Sequence, residues 1–243
     1  MYRWKIMTEF WANTIEPGYY DRILKDGLKK NKGIQPNWHR STFKKIATYI
    51  NDNDRHLDYA CGPGSFTGLF VDSNSTGVDI SDDQINYAKK NYGYKTEFIS
   101  LKDFELSQSK NKFEIITILG LLEFIDEELI IDLINDLYDT LKTDGKIILT
   151  TPNYGGAMFL LEKVLNIAGN LDYSNQYVNR FNKNKLNTIM KKTKFKNIKV
   201  KKFLNFGIFS SCISFEFSDK LMNFIDKLFS NFFGFLLLVE IKK

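Results

Sequence analysis

The stretch HLDYACGPGSFTGLF, residues 56–70, decides the fold class of this chain. A short apolar run is followed by a cysteine and by three glycines, Gly62, Gly64 and Gly68. Glycine adopts positive φ without steric cost and lets a ligand approach the backbone. The first residues of the following helix also leave N–H groups free for a polar ligand group. The stretch predicts a strand, a tight turn and a helix, and the turn either binds a ligand or only connects the two elements.

The spacing of the glycines is G-x-G-x-x-x-G, whereas the dinucleotide fingerprint is G-x-G-x-x-G. Thr67 occupies the third glycine position of that fingerprint. Asp79 comes 17 residues after Gly62, at the end of the next predicted strand, where an acid can accept hydrogen bonds from ribose hydroxyls. Capping of the next helix is the alternative role of Asp79, although Ser81 could perform it. The pattern favours an adenosine-containing ligand and leaves a nicotinamide dinucleotide as the weaker alternative.

Strand-like and helix-like segments alternate after about residue 50. Short apolar runs read as strands, and segments with apolar residues at helical spacing lie between them. The predicted strands are RHLDYA, STGVDIS, TEFIS, FEIITILG, GKIILTTPN, NIKVKKFLN and FGFLLLVEIKK. This alternation predicts an α/β fold with a mostly parallel sheet and helices on both of its faces.

Several of these segments resemble motifs of the class I S-adenosylmethionine-dependent methyltransferases. LDYACGPG resembles the first motif of that family, and GVDIS resembles the second, with Asp79 as the ribose-binding acid. The resemblance runs from about residue 51 to 243 and is closest to the small-molecule branch that includes the quinone-biosynthesis O-methyltransferases. It implies a Rossmann-like seven-stranded sheet of order 3-2-1-4-5-7-6 with an antiparallel last strand, and S-adenosylmethionine as the cofactor. The first 50 residues would form a helical lid.

The resemblance also implies a set of cofactor-binding residues. The backbone from Ala60 to Gly64 would contact the methionine part, and Ile80 would pack on the adenine. Asp103 would receive the adenine amino group, and Leu119 would line the methyl-donor end. The full set is Asp58, Ala60, Cys61, Gly62, Gly64, Asp79, Ile80, Asp103, Leu119 and Gly120.

Two positions depart from the family pattern. Ala60 replaces the first family glycine, a change that is tolerable if φ is negative at this position. Phe124 stands where many relatives have a histidine, so Glu123 lacks its usual neighbour. A hydroxyl acceptor needs a base, and the candidates are Glu123 and His39. His39 reads more simply as an ordinary surface or packing residue, and Glu123 could simply be solvated. The candidate substrate contacts are Trp38, Tyr154 and Tyr177.

Charge and composition bear on the partners. The net charge is +5, and the segment KKTKFKNIKVKK (residues 191–202) reads most simply as a solvated face. Base-modifying methyltransferases of this fold carry an Asn/Asp-Pro-Pro-Tyr/Phe motif after the fourth strand, where this chain has LGLLEF. We therefore expect a small-molecule acceptor and no nucleic acid. The helix at about 218–230 could touch anionic lipid, but we expect its apolar face to pack on the sheet.

The chain divides into a helical cap, residues 1–50, and a cofactor-binding domain, residues 51–243. Its two cysteines, Cys61 and Cys212, are far apart and provide no zinc-type pair. We also find no carboxylate set for a hard cation, so we predict no metal. The N-terminal segment lacks the apolar core of a secretory signal, and a cytoplasmic monomer or homodimer is expected. A non-catalytic cofactor-binding module and a nicotinamide-dependent oxidoreductase are the alternatives to a methyltransferase.

Overall fold

A seven-stranded sheet in the order β3-β2-β1-β4-β5-β7-β6 forms the centre of the computed structural model, which describes residues 15–159, 161, 178–229 and 232–243. The strands are β1 Arg55–Tyr59, β2 Asn74–Asp79, β3 Thr96–Ser100, β4 Phe113–Leu119, β5 Leu141–Pro152, β6 Asn197–Phe203 and β7 Leu236–Lys242. Strands β1 to β5 pair in parallel, and β7 pairs antiparallel with both β5 and β6. The predicted sheet order and antiparallel last strand are confirmed.

The described residues also form seven α-helices. They are α1 Tyr19–Lys30, α2 Ile34–Ala47, α3 Ser65–Phe70, α4 Asp82–Tyr92, α5 Glu127–Thr140, α6 Lys183–Met190 and α7 Phe215–Phe229. None of the helices in the described part of the chain has the length and apolar content needed to cross a bilayer. Helices α1 and α2 are the two helices expected in the first 50 residues, and their grouping as a cap with a boundary at residue 50 stays a proposal.

The core lies on both faces of the sheet because side chains alternate along each strand. In β4, Ile116 and Ile118 pack on one face together with α5 and α6. Ile115 points to the other face, where Ile46 of α2 and Phe66 of α3 cover it. A strand that is buried on both faces has to be apolar throughout, which is why FEIITIL was recognisable in the sequence.

Strand β5 begins at Leu141, four residues earlier than the strand predicted after the TDG sequence. Its pairing with β4 shifts register between Phe113 and Ile115, and Asp144 has a φ of 64°. The predicted turn is therefore a bulge inside the strand, and Asp144 supplies the left-handed residue that such a bulge uses.

The apolar face of α7 does not pack on the sheet, which corrects our expectation. Phe215 and Ser218 are the buried residues of this helix. Phe217, Phe224 and Leu228 remain 48%, 58% and 59% exposed. The sequence shows that a helix has an apolar face, but the partner of that face depends on distant parts of the chain.

Candidate functional site

The predicted cofactor residues meet at one edge of the sheet, where the parallel strands end. Residues 60–64 follow β1, residues 80 and 81 follow β2, and residues 120–124 follow β4. The order of the strands reverses between β1 and β4, because β1 is bordered by β2 on one side and by β4 on the other. In open α/β sheets, ligands bind in the crevice at such a switch point.

The three glycines of the turn have different roles. At Gly62, φ is 53°, and an added Cβ would meet no atom within 4 Å. An added Cβ at Gly64 would lie 2.6 Å from Cζ of Phe98, and one at Gly68 would lie 2.2 Å from Cδ1 of Tyr92. Gly64 and Gly68 are therefore required for packing, whereas Gly62 leaves its backbone open to a ligand.

Ala60 adopts a φ of 65°, so the condition under which an alanine is tolerated without strain is not met. A left-handed conformation costs a non-glycine residue about 1–2 kcal/mol. The strain persists because the flanking chain is fixed: Tyr59 is paired with Val78 in the sheet, and the Cys61 N–H donates to the Val78 carbonyl at 3.0 Å. The positive φ at this position explains why the family pattern has a glycine where this chain has Ala60.

Asp79 links the glycine turn to the start of α4. Its Oδ2 accepts a hydrogen bond from the Gly62 N–H at 2.8 Å, and its Oδ1 accepts one from the Ser81 N–H at 2.9 Å. Burial raises the pKa of Asp79, and these backbone hydrogen bonds oppose that rise. A carboxylate offers about four acceptor positions, and the backbone does not occupy all of them, which leaves room for a ribose hydroxyl. The cap of α4 is the Ser81 hydroxyl, which accepts from the Gln84 N–H, and the adjacent Ile80 is 38% exposed.

Asp58 lies beneath the turn in a buried polar chain. The Thr117 hydroxyl donates to Oδ1 of Asp58 at 2.6 Å and lies 2.8 Å from Nε2 of His56. The His56 Nδ1 atom lies 2.9 Å from the Ser75 hydroxyl. Burial lowers the pKa of His56 to about 3 and raises the pKa of Asp58 to about 7. The Thr117 hydroxyl proton is used in the hydrogen bond to Asp58. A neutral His56 ring that carries its proton on Nε2 can therefore donate to the Thr117 oxygen and accept from the Ser75 hydroxyl at Nδ1.

The other predicted cofactor residues lie around the same edge. The side chain of Cys61 is buried with Phe98, so the ligand would meet its backbone, and burial raises the pKa of the thiol. Leu119 is half-buried at the end of β4, and Gly120 turns the chain with a φ of 71°. Asp103 is exposed in the short turn after β3. These roles stay predictions.

Glu123 is a buried carboxyl group at the ends of β4 and β5. It is 5% exposed, and its Oε2 accepts a hydrogen bond from the Thr151 hydroxyl at 3.0 Å. Burial raises its pKa to about 7, although the bond from Thr151 opposes the rise. The Glu123 carbonyl accepts from the N–H groups of Val178 and Asn179, which fixes the backbone. A titratable acid is thus held at the ends of β4 and β5, the same edge of the sheet as the glycine turn.

His39 and Trp38 lie on α2 among aromatic rings. The His39 ring centre is 5.4 Å from that of Tyr20 and 5.9 Å from that of Phe43. Burial lowers the pKa of His39 to about 4, so the ring is a weak base. The Trp38 ring lies 6.2 Å from Phe235, next to the end of β5.

Of the two tyrosines predicted to contact substrate, Tyr154 lies within the described residues and Tyr177 does not. Tyr154 lies just after β5 and is half-buried, and the guanidinium of Arg180 lies 5.4 Å from its ring centre. The Tyr154 N–H donates to the Phe181 carbonyl at 2.6 Å. Tyr177 lies outside the described residues. The substrate role of both tyrosines stays a prediction.

Asp21 is a residue that the sequence analysis missed. It is fully buried on α1, and its Oδ1 accepts from the Ser65 hydroxyl at 2.7 Å and from the Tyr92 hydroxyl at 2.5 Å. Its Oδ2 accepts from the Tyr87 hydroxyl and from Lys25 Nζ, both at 2.8 Å. Ser65 directly follows the glycine turn, so Asp21 fastens the cap to the candidate cofactor site. In sequence, Asp21 and Lys25 read as an ordinary surface pair at helical spacing.

The comparisons with known proteins agree with this geometry. A family model described as a methyltransferase domain matches residues 35–200. An S-adenosylmethionine-dependent methyltransferase from Archaeoglobus fulgidus has a TM-score of 0.61 at 18% identity, covering 85% of this chain and 93% of its own. Magnesium protoporphyrin IX methyltransferase from Synechocystis PCC 6803, solved with S-adenosylhomocysteine, has a TM-score of 0.61 at 14% identity, covering 98% of this chain and 99% of its own.

Curated relatives give a shorter match. The tRNA (guanine-N(7)-)-methyltransferase of Clostridium botulinum strain Hall is 34% identical over 84 residues. That match covers 32% of this chain and 36% of the relative, so the chain spans about a third of the length of the curated relatives it matches.

The residues at the edge of the sheet fit an adenosyl cofactor. Gly62 has open space on its ligand side, Asp79 keeps acceptor positions free, and Ile80 exposes an apolar surface next to them. The family match covers more than half of the chain. The chain therefore belongs to the methyltransferase domain family, and the residues at this edge of the sheet fit S-adenosylmethionine as a cofactor.

Proposed function

We propose that this chain transfers a methyl group to a hydroxyl group of a small organic acceptor, with Glu123 as the general base. The buried Glu123 carboxyl, at the ends of β4 and β5, is the observation that carries the proposal. When bound, S-adenosylmethionine supplies a sulfonium-activated methyl group that the acceptor oxygen attacks in line. Glu123 would take up the proton that the acceptor hydroxyl loses on methylation, and S-adenosylhomocysteine would leave as the product.

The surroundings of Glu123 support its role as the base. A pKa of about 7 leaves the group partly ionised at neutral pH, where a general base is most effective. Thr151 occupies Oε2 and orients the group. An added Cβ at Gly120 would lie 3.6 Å from Oε1, so the absence of a side chain at Gly120 leaves space beside that oxygen.

His39 is the less suitable candidate. With a pKa of about 4, its ring is neutral at neutral pH and accepts a proton less readily than Glu123 does. Its described contacts are aromatic, with Tyr20 and Phe43. We assign His39 to packing of the cap.

Aromatic rings near the end of β5 support an acceptor with an apolar body. Phe235 has Trp38, Phe206 and Phe209 as neighbours, with ring centres 6.2, 5.0 and 5.7 Å away. Phe235 also accepts a backbone hydrogen bond from Asn153, directly after β5. An apolar acceptor could pack against these rings while its hydroxyl points towards Glu123.

The local similarity to a tRNA methyltransferase favours a second candidate, methylation of a guanine base in tRNA. The similarity covers only 32% of this chain and 36% of the relative. We therefore rank it below the small-molecule acceptor.

The acceptor class can be tested with methyl-labelled S-adenosylmethionine. The purified chain is incubated separately with the small-molecule fraction of a cell extract and with total tRNA. We expect label in the small-molecule fraction alone, and purification of the labelled product identifies the acceptor. Label in tRNA alone would support the second candidate, and no label in either fraction would contradict catalysis.

The role of Glu123 is tested with Glu123→Gln, and the exposed Glu128→Gln is the matched control. We expect Glu123→Gln to lower kcat/KM by about 10²–10⁴-fold, since a positioned base contributes that much. In the unaltered chain, activity should rise as the pH passes through about 7, because Glu123 loses its proton there. That rise should disappear in Glu123→Gln while affinity for S-adenosylmethionine is kept. Full activity of Glu123→Gln, or loss of activity in His39→Ala instead, would refute the assignment.

A further inference from the structure

We propose that the exposed face of α7 docks this protein on the surface of an anionic lipid bilayer. The α7 apolar stripe consists of Phe217, Leu221, Phe224 and Leu228, which lie at helical spacing on one side of the helix. Phe224 and Leu228 are more than half exposed, and Phe217 is nearly so. Most surface helices turn such a stripe towards the core, whereas this stripe faces solvent.

The apolar surface extends beyond the ends of the helix. Ile213, just before α7, is 66% exposed, and Phe232, just after it, is 67% exposed. Contiguous exposed apolar surface marks a binding site more often than scattered single residues do. The extended surface runs along the whole length of α7.

The acidic residues of α7 are turned away from the stripe and bind other parts of the protein. Oε2 of Glu216 accepts a hydrogen bond from Asn31 Nδ2 at 2.6 Å. Asp219 accepts two hydrogen bonds from the Arg40 guanidinium, at 2.9 and 2.5 Å. Asp226 accepts a side-chain amide hydrogen bond at 2.7 Å. The Arg40 guanidinium thus compensates the charge of Asp219, while Glu216 and Asp226 keep their charge but are held by hydrogen bonds away from the stripe.

The lysines border the stripe and keep their charge available. Lys220 and Lys227 are exposed, and neither has an acidic partner among the described residues. Lys202 of β6 lies with its Nζ atom 5.1 Å from the ring centre of Phe232, and Lys201 beside it is exposed. The apolar surface therefore has a positively charged border.

This combination fits a bilayer surface that carries negative charge. An amphipathic helix with aromatic residues on one face and lysines beside them lies in the interface and binds anionic lipid headgroups. The alternative occupant is a second copy of this chain. An isologous contact would bring the lysine borders of two copies together, so charge complementarity favours the anionic bilayer.

The docked orientation would bring the candidate acceptor side close to the bilayer. The Phe229 ring lies 5.3 Å from Phe233, which lies 5.8 Å from Phe206. Phe206 in turn packs on Phe235, at the end of the sheet where β5 ends. The surface proposal rests on α7 alone and would stand if the acceptor were different.

Vesicle co-sedimentation tests this proposal. Vesicles of phosphatidylcholine alone are compared with vesicles that also contain phosphatidylglycerol. We expect the unaltered chain to bind the anionic vesicles, with binding that weakens as salt is added. Phe224→Glu combined with Leu228→Glu should lower that binding by about tenfold or more, because both side chains would leave the interface. Lys220→Gln combined with Lys227→Gln should reduce the preference for anionic vesicles.

Tyr94→Glu combined with Leu28→Glu is the matched control, because Tyr94 and Leu28 are exposed elsewhere. This variant should bind vesicles as the unaltered chain does. Melting temperature and S-adenosylhomocysteine affinity should be unchanged in every variant. Failure of the unaltered chain to bind anionic vesicles would overturn the proposal, as would full binding by the Phe224/Leu228 variant. A dimer in solution that this variant dissociates, without vesicle binding, would assign the stripe to a second copy.

Discussion

Asp58 and Glu123 are buried carboxyl groups with pKa values of about 7, and this affects both stability and reactivity. Burial raises both pKa values above those of the unfolded chain. At pH 5 to 7 the folded state therefore holds protons that the unfolded state has released. Each group makes stability fall as the pH rises through that window, by up to about 1.4 kcal/mol per pH unit.

The Asp58→Asn variant isolates this effect. An asparagine oxygen can still accept the Thr117 hydrogen bond, but it carries no proton to lose. We expect the difference in unfolding free energy, variant minus unaltered chain, to increase from pH 5 to pH 8. Urea unfolding at several pH values measures that difference. A difference independent of pH would contradict the raised pKa, and Asp83→Asn, at an exposed position on α4, serves as the control.

At the level of elements, the buried carboxylate of Asp21 joins α1 to α3 and α4. Burial pushes its pKa up, but hydrogen bonds from Lys25, Tyr92, Ser65 and Tyr87 outweigh that effect and lower the pKa. Asp21 is therefore ionised at neutral pH and accepts hydrogen bonds through both oxygens. Its contribution to stability should be lost in acid, as the pH falls through the lowered pKa.

Asp21→Asn should destabilise the protein by about 2–3 kcal/mol, since the amide cannot accept from all four donors. The matched control is Asp26→Asn on the same helix, because the Asp26–Lys30 pair is exposed and should contribute less than about 1 kcal/mol. Urea unfolding measures both variants, and proteolysis of α1 reports on release of the cap. Equal effects of the two substitutions would contradict a fastening role for Asp21.

Helices and strands could be predicted from the sequence where the pattern that marks them lies within a few neighbouring residues. The strands of the parallel sheet are apolar runs that end at turn residues, and the glycine turn with Asp79 indicated where the ligand edge lies. The φ of Ala60 was not predictable, because pairing of the flanking chain imposes it. The partners of Asp21 and the exposed face of α7 also escaped prediction, since both depend on contacts between residues far apart in sequence.

At the level of the whole molecule, the sheet order brings separate motifs to one edge. The turn after β1 and the acid at the end of β2 are joined by the hydrogen bond from Gly62 to Asp79. Glu123 lies after β4 and contacts Thr151 of β5. The candidate cofactor residues and the proposed base therefore lie at the same edge of the sheet, as the proposed methyl transfer would require.

Isothermal titration calorimetry with S-adenosylhomocysteine and with NAD tests the central claim most directly. We predict that the unaltered chain binds S-adenosylhomocysteine and not NAD. Asp79→Ala should lower the affinity at least about tenfold, because the ribose hydroxyls lose a charged acceptor, whereas the exposed Asp83→Ala should not change it. Binding of NAD in place of S-adenosylhomocysteine, or equal affinity in Asp79→Ala, would contradict the account.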